Sequence, residues 1–483
     1  MVLIWTTILL SLYERGREGT EDGTPQSKSK PDVVDLVRLR EKTEARALQA
    51  EGRPNVILIL ADDLDKSVFS RTTLDSAWAD EGTSFSNALD TTSLCCPSRA
   101  SILRGQYAHN TGLVNNDNSE PDGGAKYFRK EGLDRRTLAT LLKAGGYETW
   151  FGGKYLNGYE AVGGFGGYVP PGWDSWQAYL GASQADVDGR TITFRRHYTD
   201  WLSARASRFI GKGRDASKPF FMEIAPLDTH EPLFVPPRHA RAYSNAHAPR
   251  PPSFEEKDVS DKPRWVRNQP PLSAAAIASF DQKQVLRMRS ALTLEDLSKN
   301  VMTTLKRAHQ LDNTYLIFTS DNGYQMGLHG IRAAKFMPYT EAHEVPFVVR
   351  GPGVPVGASV DELVANMDIA PTVLDLAGVN QPGWMDGRSF EPLLGRQATG
   401  AWRDSLLIEG AKSGSPRRSA YSGVRRKDEI YVRYGSGEEE FYDLRKDPYQ
   451  LESRPRDASA SLKEKLGALK NCAGEGCRRA EGP

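Results

Sequence analysis

The stretch NVILILADD (residues 55–63) decides the fold class. It is a short apolar run, rich in β-branched residues, that ends in two carboxylates. Strands that are buried on both faces of a sheet are continuously apolar, as in parallel sheets covered by helices. The stretch therefore predicts a buried parallel strand that presents Asp62 and Asp63 at its carboxyl end.

Similar apolar runs recur along the chain and alternate with helical patterns. The runs are GYETWF (146–151), PFFMEIAPL (219–227), TYLIFTSDNG (314–323) and VPFVVRGPG (345–353), and the helical patterns cover 98–104, 136–144, 198–211 and 290–311. This alternation predicts an α/β fold with a large doubly wound sheet, mixed but mostly parallel, flanked by helices. Ligands of such sheets bind beyond the carboxyl ends of the strands.

The C-terminal region has a different pattern. Short alternating segments over 405–445 predict a small antiparallel sheet, followed by a helix and a loose tail. We therefore predict a catalytic domain over 31–395, beginning with a surface helix at 31–50, and a C-terminal antiparallel-sheet subdomain over 396–483. Residues 231–280, rich in Pro, Arg, Ser and Ala, are predicted to form a long loop.

Composition excludes some classes of partner. The 483 residues contain 63 Lys plus Arg against 62 Asp plus Glu, so net charge favours neither nucleic acid nor an anionic membrane surface. Residues 1–30 are interpreted as a candidate signal segment and linker. The apolar part, 1–13, is shorter than the ~20 residues that span a bilayer, and it lacks a basic start and a small-x-small cleavage site. We expect export, to the extracellular space or the periplasm, and no membrane span.

The chain has four cysteines, too few for a disulfide scaffold. Cys472 and Cys477 flank a short Gly-containing segment, where they either pair or remain two idle thiols. A disulfide there fits an exported protein.

Two strand ends together predict a metal site. Asp62 and Asp63 close one predicted strand, and Asp321 and Asn322 close another. Three carboxylates and one amide oxygen form a hard, all-oxygen ligand set, which suits Ca²⁺ or Mg²⁺ better than a thiophilic metal.

The segment CCPSR (residues 95–99) carries the second chemical signal. A helix that starts here places Cys95 near its N-terminus, where free N–H groups and the helix dipole favour an anion, and Arg99 lies one turn further on. Cys96 is expected to be packed and inert.

Further cationic side chains follow other apolar runs. They are Lys154 in GGKYLN, His230 in DTHEP, His329 in GLHG and Lys335 in AAKFMPY. Preorganised cations of this kind, together with a metal, stabilise the charge that develops on an anionic ester during its hydrolysis.

Together these motifs resemble the sulfatase family, within the alkaline-phosphatase-like fold. The resemblance runs from Asn55 to about Leu444 and rests on NVILILADD, CCPSR, GKY, DTH, SDNG and DIAPTVLDLAG (368–378). CCPSR with GKYLN resembles the branch that contains N-acetylglucosamine-6-sulfatases and extracellular heparan 6-O-endosulfatases.

The resemblance implies a sulfuric ester hydrolase, of arylsulfatase or glycan 6-O-sulfatase type, with one Ca²⁺ per subunit. Cys95 would be converted to formylglycine (3-oxoalanine) by a formylglycine-generating enzyme. The calcium ligands would be Asp62, Asp63, Asp321, Asn322 and the modified Cys95. By the same resemblance, Arg99 and Lys154 would hold the aldehyde hydrate, and Lys335 and His230 would bind sulfate and protonate the leaving alcohol. The hydrate would attack sulfur and form a covalent sulfate intermediate on a sulfated small molecule or glycosaminoglycan.

One position departs from the family pattern and several readings stay open. Many members have a histidine where this chain has Leu156, so Asn157 or His329 is a candidate replacement. A phosphonate monoester or phosphodiester hydrolase of the same fold needs a similar cation cluster. An inactive glycan-binding relative, and a thiol enzyme that uses unmodified Cys95, are the more distant alternatives.

Overall fold

A computed structural model describes residues 52–163, 167–332, 335–395, 401–410 and 420–483. The expectations for residues 1–50 lie outside the described residues. Ten described strands form one sheet: β1 (Asn55–Ala61), β2 (Thr83–Leu89), β3 (Glu148–Gly153), β4 (Ser175–Gly181), β5 (Gln184–Val187), β6 (Arg190–Thr193), β7 (Phe220–Ala225), β8 (Thr314–Ser320), β9 (Phe347–Arg350) and β10 (Ala358–Ala365).

The strand order is β10-β2-β9-β8-β1-β7-β3-β4-β5-β6. Strands β5 and β9 run antiparallel to both of their neighbours, and the remaining pairs are parallel. The predicted mixed, mostly parallel α/β sheet is therefore confirmed.

Helices cover both faces of this sheet. Within the described residues they are α1 (Lys66–Ser70), α2 (Thr73–Ala79), α3 (Cys95–Arg104), α4 (Ala108–Thr111), α5 (Gly124–Lys130), α6 (Leu138–Ala144), α7 (Tyr159–Gly163), α8 (Tyr198–Arg208), α9 (Arg264–Arg267), α10 (Ala274–Arg307), α11 (Thr340–His343), α12 (Ile369–Leu376), α13 (Ala460–Lys470) and α14 (Glu475–Ala480). None of these helices combines the length and the apolar character that crossing a membrane requires.

Strand β1 lies in the middle of the sheet and is buried on both faces. Val56, Leu58 and Leu60 enter one apolar core, whereas Ile57 and Ile59 enter the core on the other face. The first core is shared with α3, α6 and α12, and the second with α2, α8 and α10. The apolar run thus predicts the central strand because both of its faces exclude water.

The C-terminal region forms the small antiparallel sheet that its alternating pattern predicts. Its strands are β11 (Leu406–Gly410), β12 (Tyr421–Arg425), β13 (Glu429–Tyr434) and β14 (Glu439–Asp443), paired in sequence order. Helix α13 covers it with Leu462, Leu466 and Leu469. Cys472 and Cys477 form a disulfide, which decides between the two open readings.

Three predicted boundaries were wrong. The loop over 231–280 ends before Ala274, where α10 begins, so the helix expected over 290–311 starts 16 residues earlier and ends at Arg307. Ser273 caps this helix by accepting a hydrogen bond from the Ala276 N–H, and alanines favour the helix that follows. The sequence analysis also did not predict strands β2, β4, β5, β6 and β10, which are short or alternate between apolar and polar residues.

Candidate active site

The carboxyl ends of the neighbouring strands β1 and β8 bring four polar side chains together. The Asp63 N–H donates to Asp321 Oδ1 at 3.1 Å, and Asn322 Nδ2 donates to Asp63 Oδ1 at 2.7 Å. Asp63 adopts a left-handed backbone conformation with φ of 61°, which aspartate tolerates better than most residues. This conformation ends the strand, so Asp62 and Asp63 need not alternate to opposite faces and both carboxylates face one site.

Cys95 lies at the first position of α3 and points into the same site. Its Sγ is 3.7 Å from Asp62 Oδ1 and 2.8 Å from Lys335 Nζ. Asp62, Asp63, Cys95 and His230 each present a potential ligand atom, and these atoms lie within 4.8 Å of one another. The thiol is fully buried, so a reactant must enter the site to reach it.

Hydrogen bonds attach helix α3 to the end of β8. The Ser98 hydroxyl donates to the backbone carbonyl of Asp321, and Asn366 Nδ2 donates to Ser98 Oγ at 2.9 Å. Since Ser98 lies one turn after Cys95, these bonds set the position of the thiol relative to the carboxylates.

Three permanent cations pair with the carboxylates. Lys154 Nζ lies 2.6 Å from Asp62 Oδ2, Arg99 Nε donates to Asp321 Oδ2 at 2.8 Å, and Lys335 Nζ donates to an oxygen of Asp63. These three pairs leave the described part of the site close to neutral, so a bound dication makes it electropositive and suited to an anion.

The same neighbours shift the titration of the site. Burial alone raises the pKa of Asp62, but the charges of Lys154, His230 and Arg99 outweigh it and hold that pKa well below its usual range. The charge of Asp62 raises the pKa of His230 to about 9, although burial opposes this shift. A dication held by the same carboxylates opposes protonation of His230, since like charges repel. Burial lowers the pKa of Lys335, but the nearby carboxylates outweigh it and raise that pKa well above its usual value.

The structure separates the two candidate replacements for the missing histidine. Asn157 lies next to the site, where its N–H donates to Cys96 Sγ at 3.0 Å. His329 is 2 % exposed, and its Nδ1 pairs with Glu256 Oε2 at 2.6 Å. Its ring is tilted by 30° against the Tyr339 ring, with the two centroids 4.2 Å apart, so His329 takes part in the packing of its loop.

The two adjacent cysteines are both fully buried but have different partners. Burial raises the pKa of the Cys96 thiol to about 12, so it stays protonated at neutral pH. Its contacts are with Asn157, and with Asn116 through the backbone N–H. This agrees with the expectation that Cys96 is packed and inert.

Arg287 supports the site and was not found from the sequence. From helix α10 its Nη2 donates to the carbonyl oxygen of Asp63 at 2.5 Å and to Asp65 Oδ2 at 2.7 Å. The guanidinium carbon lies over the ring of Tyr324, 4.4 Å from the ring centroid. No local motif marks this arginine, because Asp63 and Asp65, which accept these hydrogen bonds, lie more than 200 positions away in the sequence.

Comparison with known proteins gives matches over most of the chain. The family model described as Sulfatase matches residues 54–379, and one described as N-sulphoglucosamine sulphohydrolase, C-terminal, matches 327–471. An N-acetylglucosamine-6-sulfatase of Capra hircus is 33% identical over an alignment 484 positions long, gaps included. The alignment covers 89% of this chain and 86% of that protein. A Drosophila melanogaster protein named extracellular sulfatase SULF-1 homolog is 33% identical in the matched region. That region covers 77% of this chain and 34% of the Drosophila protein.

A solved structure gives the same fold. It is described as a complex with its substrate D-glucosamine-2-N,6-O-disulfate, and it matches with a TM-score of 0.73 and 23% identity over 87% of this chain and 97% of the other. At this identity the match shows the fold alone, whereas the family model covers more than half of the chain. The chain belongs to the sulfatase family and is a sulfuric ester hydrolase.

Proposed function

We propose that this protein hydrolyses 6-O-sulfate esters of glucosamine residues through a calcium-dependent, formylglycine-based site. One observation carries the proposal. Cys95 Sγ lies between Asp62 and Lys335, so the group that becomes the nucleophile is in contact with both a carboxylate cluster and a cation.

The residues at the strand ends fit a calcium ion. Asp62, Asp63, Asp321 and Asn322 offer only oxygen ligands, which calcium prefers. Asn322 Oδ1 is buried and has no hydrogen-bond donor among the described residues, so this oxygen is available to a cation. An unpaired buried oxygen costs free energy unless something binds it. Calcium held here would supply a positive charge for the sulfate group and for the nucleophile.

Conversion of the Cys95 thiol to an aldehyde would supply a hydrate, an oxygen nucleophile with a second hydroxyl that permits release of sulfate. Lys154 and Arg99 are positioned to hold this residue. Arg99 Nη1 donates to the Lys154 carbonyl at 2.6 Å, which couples the positions of the two cations. Both side chains pair with carboxylates and are nearly buried, so their charges need little reorganisation during reaction.

Lys335 and His230 both lie close to Asp63. Lys335 would hold a sulfate oxygen and stabilise the charge that develops on it. His230 Nε2 is 3.8 Å from Asp63 Oδ2, and its side chain is 32% exposed, so it can reach both the site and the substrate that enters from solvent. A protonated His230 would give its proton to the leaving alcohol oxygen.

The substrate class and the location rest on different supports. Relatives named for N-acetylglucosamine 6-sulfate match over most of the chain, which favours a 6-sulfated amino sugar over an aryl sulfate.

The disulfide between Cys472 and Cys477 and a relative named as extracellular favour export. We assign residues 31–395 to the catalytic domain and 396–483 to the C-terminal subdomain.

The test is a comparison of three esters with the purified, modified enzyme. We expect turnover of N-acetylglucosamine 6-sulfate to exceed that of 4-nitrophenyl sulfate, and both to exceed that of a phenylphosphonate monoester. Chelation of calcium should abolish turnover, and added calcium should restore it. A phosphonate ester as the best substrate would overturn the proposal, as would full activity in the Cys95→Ala variant.

A further inference from the structure

A basic cavity lies beside the candidate active site. It is open to solvent, has a volume of about 780 Å³ and is lined by residues of helices α5 and α7 and of the segments next to them. This volume is within the range of cavities that bind small organic ligands. The residues that we place at the active site do not line it, so it is a separate site.

Four cations face this cavity. Lys126, Arg129, Lys130 and Arg135 line it, and all four are exposed. Asp134 is the acidic residue of its wall, but that side chain is 3% exposed. Among the residues that line the cavity, the exposed charges are therefore positive and the negative charge is turned inward, and Lys130 also pairs at 3.3 Å with Glu131, which lies outside the lining.

Two contacts give the cavity a fixed wall. The guanidinium of Arg129 stacks on the ring of Tyr168 at 4.0 Å and donates to the Val162 carbonyl at 2.9 Å. The Tyr168 hydroxyl donates to Asp134 Oδ2, and Asp134 Oδ1 is buried with no partner among the described residues. An aromatic ring and several cations together suit a charged saccharide better than an inorganic ion.

Hydrogen bonds join this cavity to the loop that follows Lys154. Asn118, which lines the cavity, donates through Nδ2 to the Gly158 carbonyl at 2.8 Å. The Ala125 N–H at the start of α5 donates to the Asn157 carbonyl at 2.9 Å. At most about 14 Å of backbone separates Lys154 from Gly158, so the cavity lies within reach of an oligosaccharide held at Cys95.

We propose that this basic cavity binds a second anionic saccharide unit of the glycan chain whose 6-sulfate is cleaved at Cys95. The inference rests on the proposed function and extends it from a single sugar to a sulfated oligosaccharide. Exposed cations give affinity that falls with salt concentration, whereas the reacting sulfate is held by buried groups that salt screens less.

The test is binding of a heparin-derived hexasaccharide to the full-length Cys95→Ser protein, measured by titration calorimetry without turnover. The cavity variant combines Lys126→Ser, Lys130→Ser and Arg135→Ser, and it leaves Arg129 in place because that residue supports the wall. The matched control removes three exposed cations elsewhere, with Lys257→Ser, Arg445→Ser and Lys446→Ser.

We expect the cavity variant to bind the hexasaccharide roughly tenfold more weakly, as the loss of three exposed ion pairs implies, while the control changes less than about twofold. A desulfated hexasaccharide should bind equally weakly to both variants. In the Cys95 background, turnover of N-acetylglucosamine 6-sulfate should be the same in both variants.

Equal loss of affinity in the two variants, or no loss in either, would overturn the inference. The inference would also be overturned if the cavity variant, but not the control, lost as much affinity for phosphatidylserine vesicles as for the hexasaccharide. The cavity would then recognise anionic surfaces in general. A hexasaccharide that binds as predicted to an enzyme without 6-sulfatase activity would contradict the proposed function and leave the cavity assignment standing.

Discussion

Replacing Lys335 by alanine removes the ammonium group that contacts both Asp63 and Cys95. The side chain is 14% exposed, its Nζ lies 2.8 Å from Cys95 Sγ, and it donates to Asp63 Oδ1. A substrate sulfate that reacts at Cys95 must therefore come close to this charge. We expect the substitution to slow the chemical step and to leave the fold intact.

The size of the effect follows from the position of the charge. Two unit charges 4 Å apart interact by about 4 kcal/mol at an effective dielectric constant of about 20. Removal of one preorganised donor at a developing negative charge costs roughly 2.7–4 kcal/mol in measured cases. Both figures predict that kcat falls by about 10²- to 10³-fold. Because the ammonium shares an oxygen of Asp63 with the proposed calcium site, calcium affinity should stay the same or increase.

The assay combines steady-state kinetics on N-acetylglucosamine 6-sulfate with calcium titration calorimetry. Lys143→Ala is the matched control, because Lys143 pairs with Asp174 at 2.7 Å on the surface and is 47% exposed. That variant should keep wild-type kinetics, since surface ion pairs contribute little. Wild-type kcat in Lys335→Ala would refute the catalytic role, and loss of calcium binding would refute the view that Lys335 competes with the metal.

Three further substitutions test other parts of the site and fold. Asp321→Asn should weaken calcium binding in calorimetry, because it removes a carboxylate ligand; unchanged affinity would exclude Asp321 from the metal site. Cys96→Ala should keep most of the activity, because that thiol is buried and protonated, whereas Cys95→Ala should abolish turnover; equal activities would show that Cys95 is not the nucleophile. Opening the short disulfide by Cys472→Ser and Cys477→Ser should lower the free energy of unfolding by about 2 kcal/mol with kcat unchanged, and thermal unfolding that matches wild type would contradict this.

The central sheet could be predicted because burial leaves a strong sequence signal. Strand β1 is buried throughout and apolar from Val56 to Ala61, so the sequence indicates that both of its faces are buried. The strands β4 to β6 give a weaker signal, because Trp176 and Ala178 are buried while β6 is mostly exposed. Helix α10 starts at Ala274 with an exposed first turn, so its apolar periodicity begins only further along the chain.

The site could be predicted only where its residues lie in compact motifs. The nine residues selected from those motifs lie at one edge of the sheet, because parallel strands end at a common edge. Arg287 and Asn366 could not be found in this way. Arg287 bonds to Asp63 and Asn366 bonds to Ser98 across more than 200 positions of sequence, and neither lies in a motif. The sequence made His329 a reasonable candidate, but the structure pairs this buried histidine with Glu256 and not with the aspartates of the site.

The most direct test of the account is mass spectrometry of the peptide that contains Cys95, taken from enzyme that is active on a sulfate ester. The account predicts that Cys95 is lighter by about 18 Da, the change expected when a CH₂SH side chain becomes an aldehyde. The adjacent Cys96 serves as an internal control and should retain the mass of an unmodified cysteine. A wholly unmodified Cys95 in the active preparation would contradict the formylglycine mechanism.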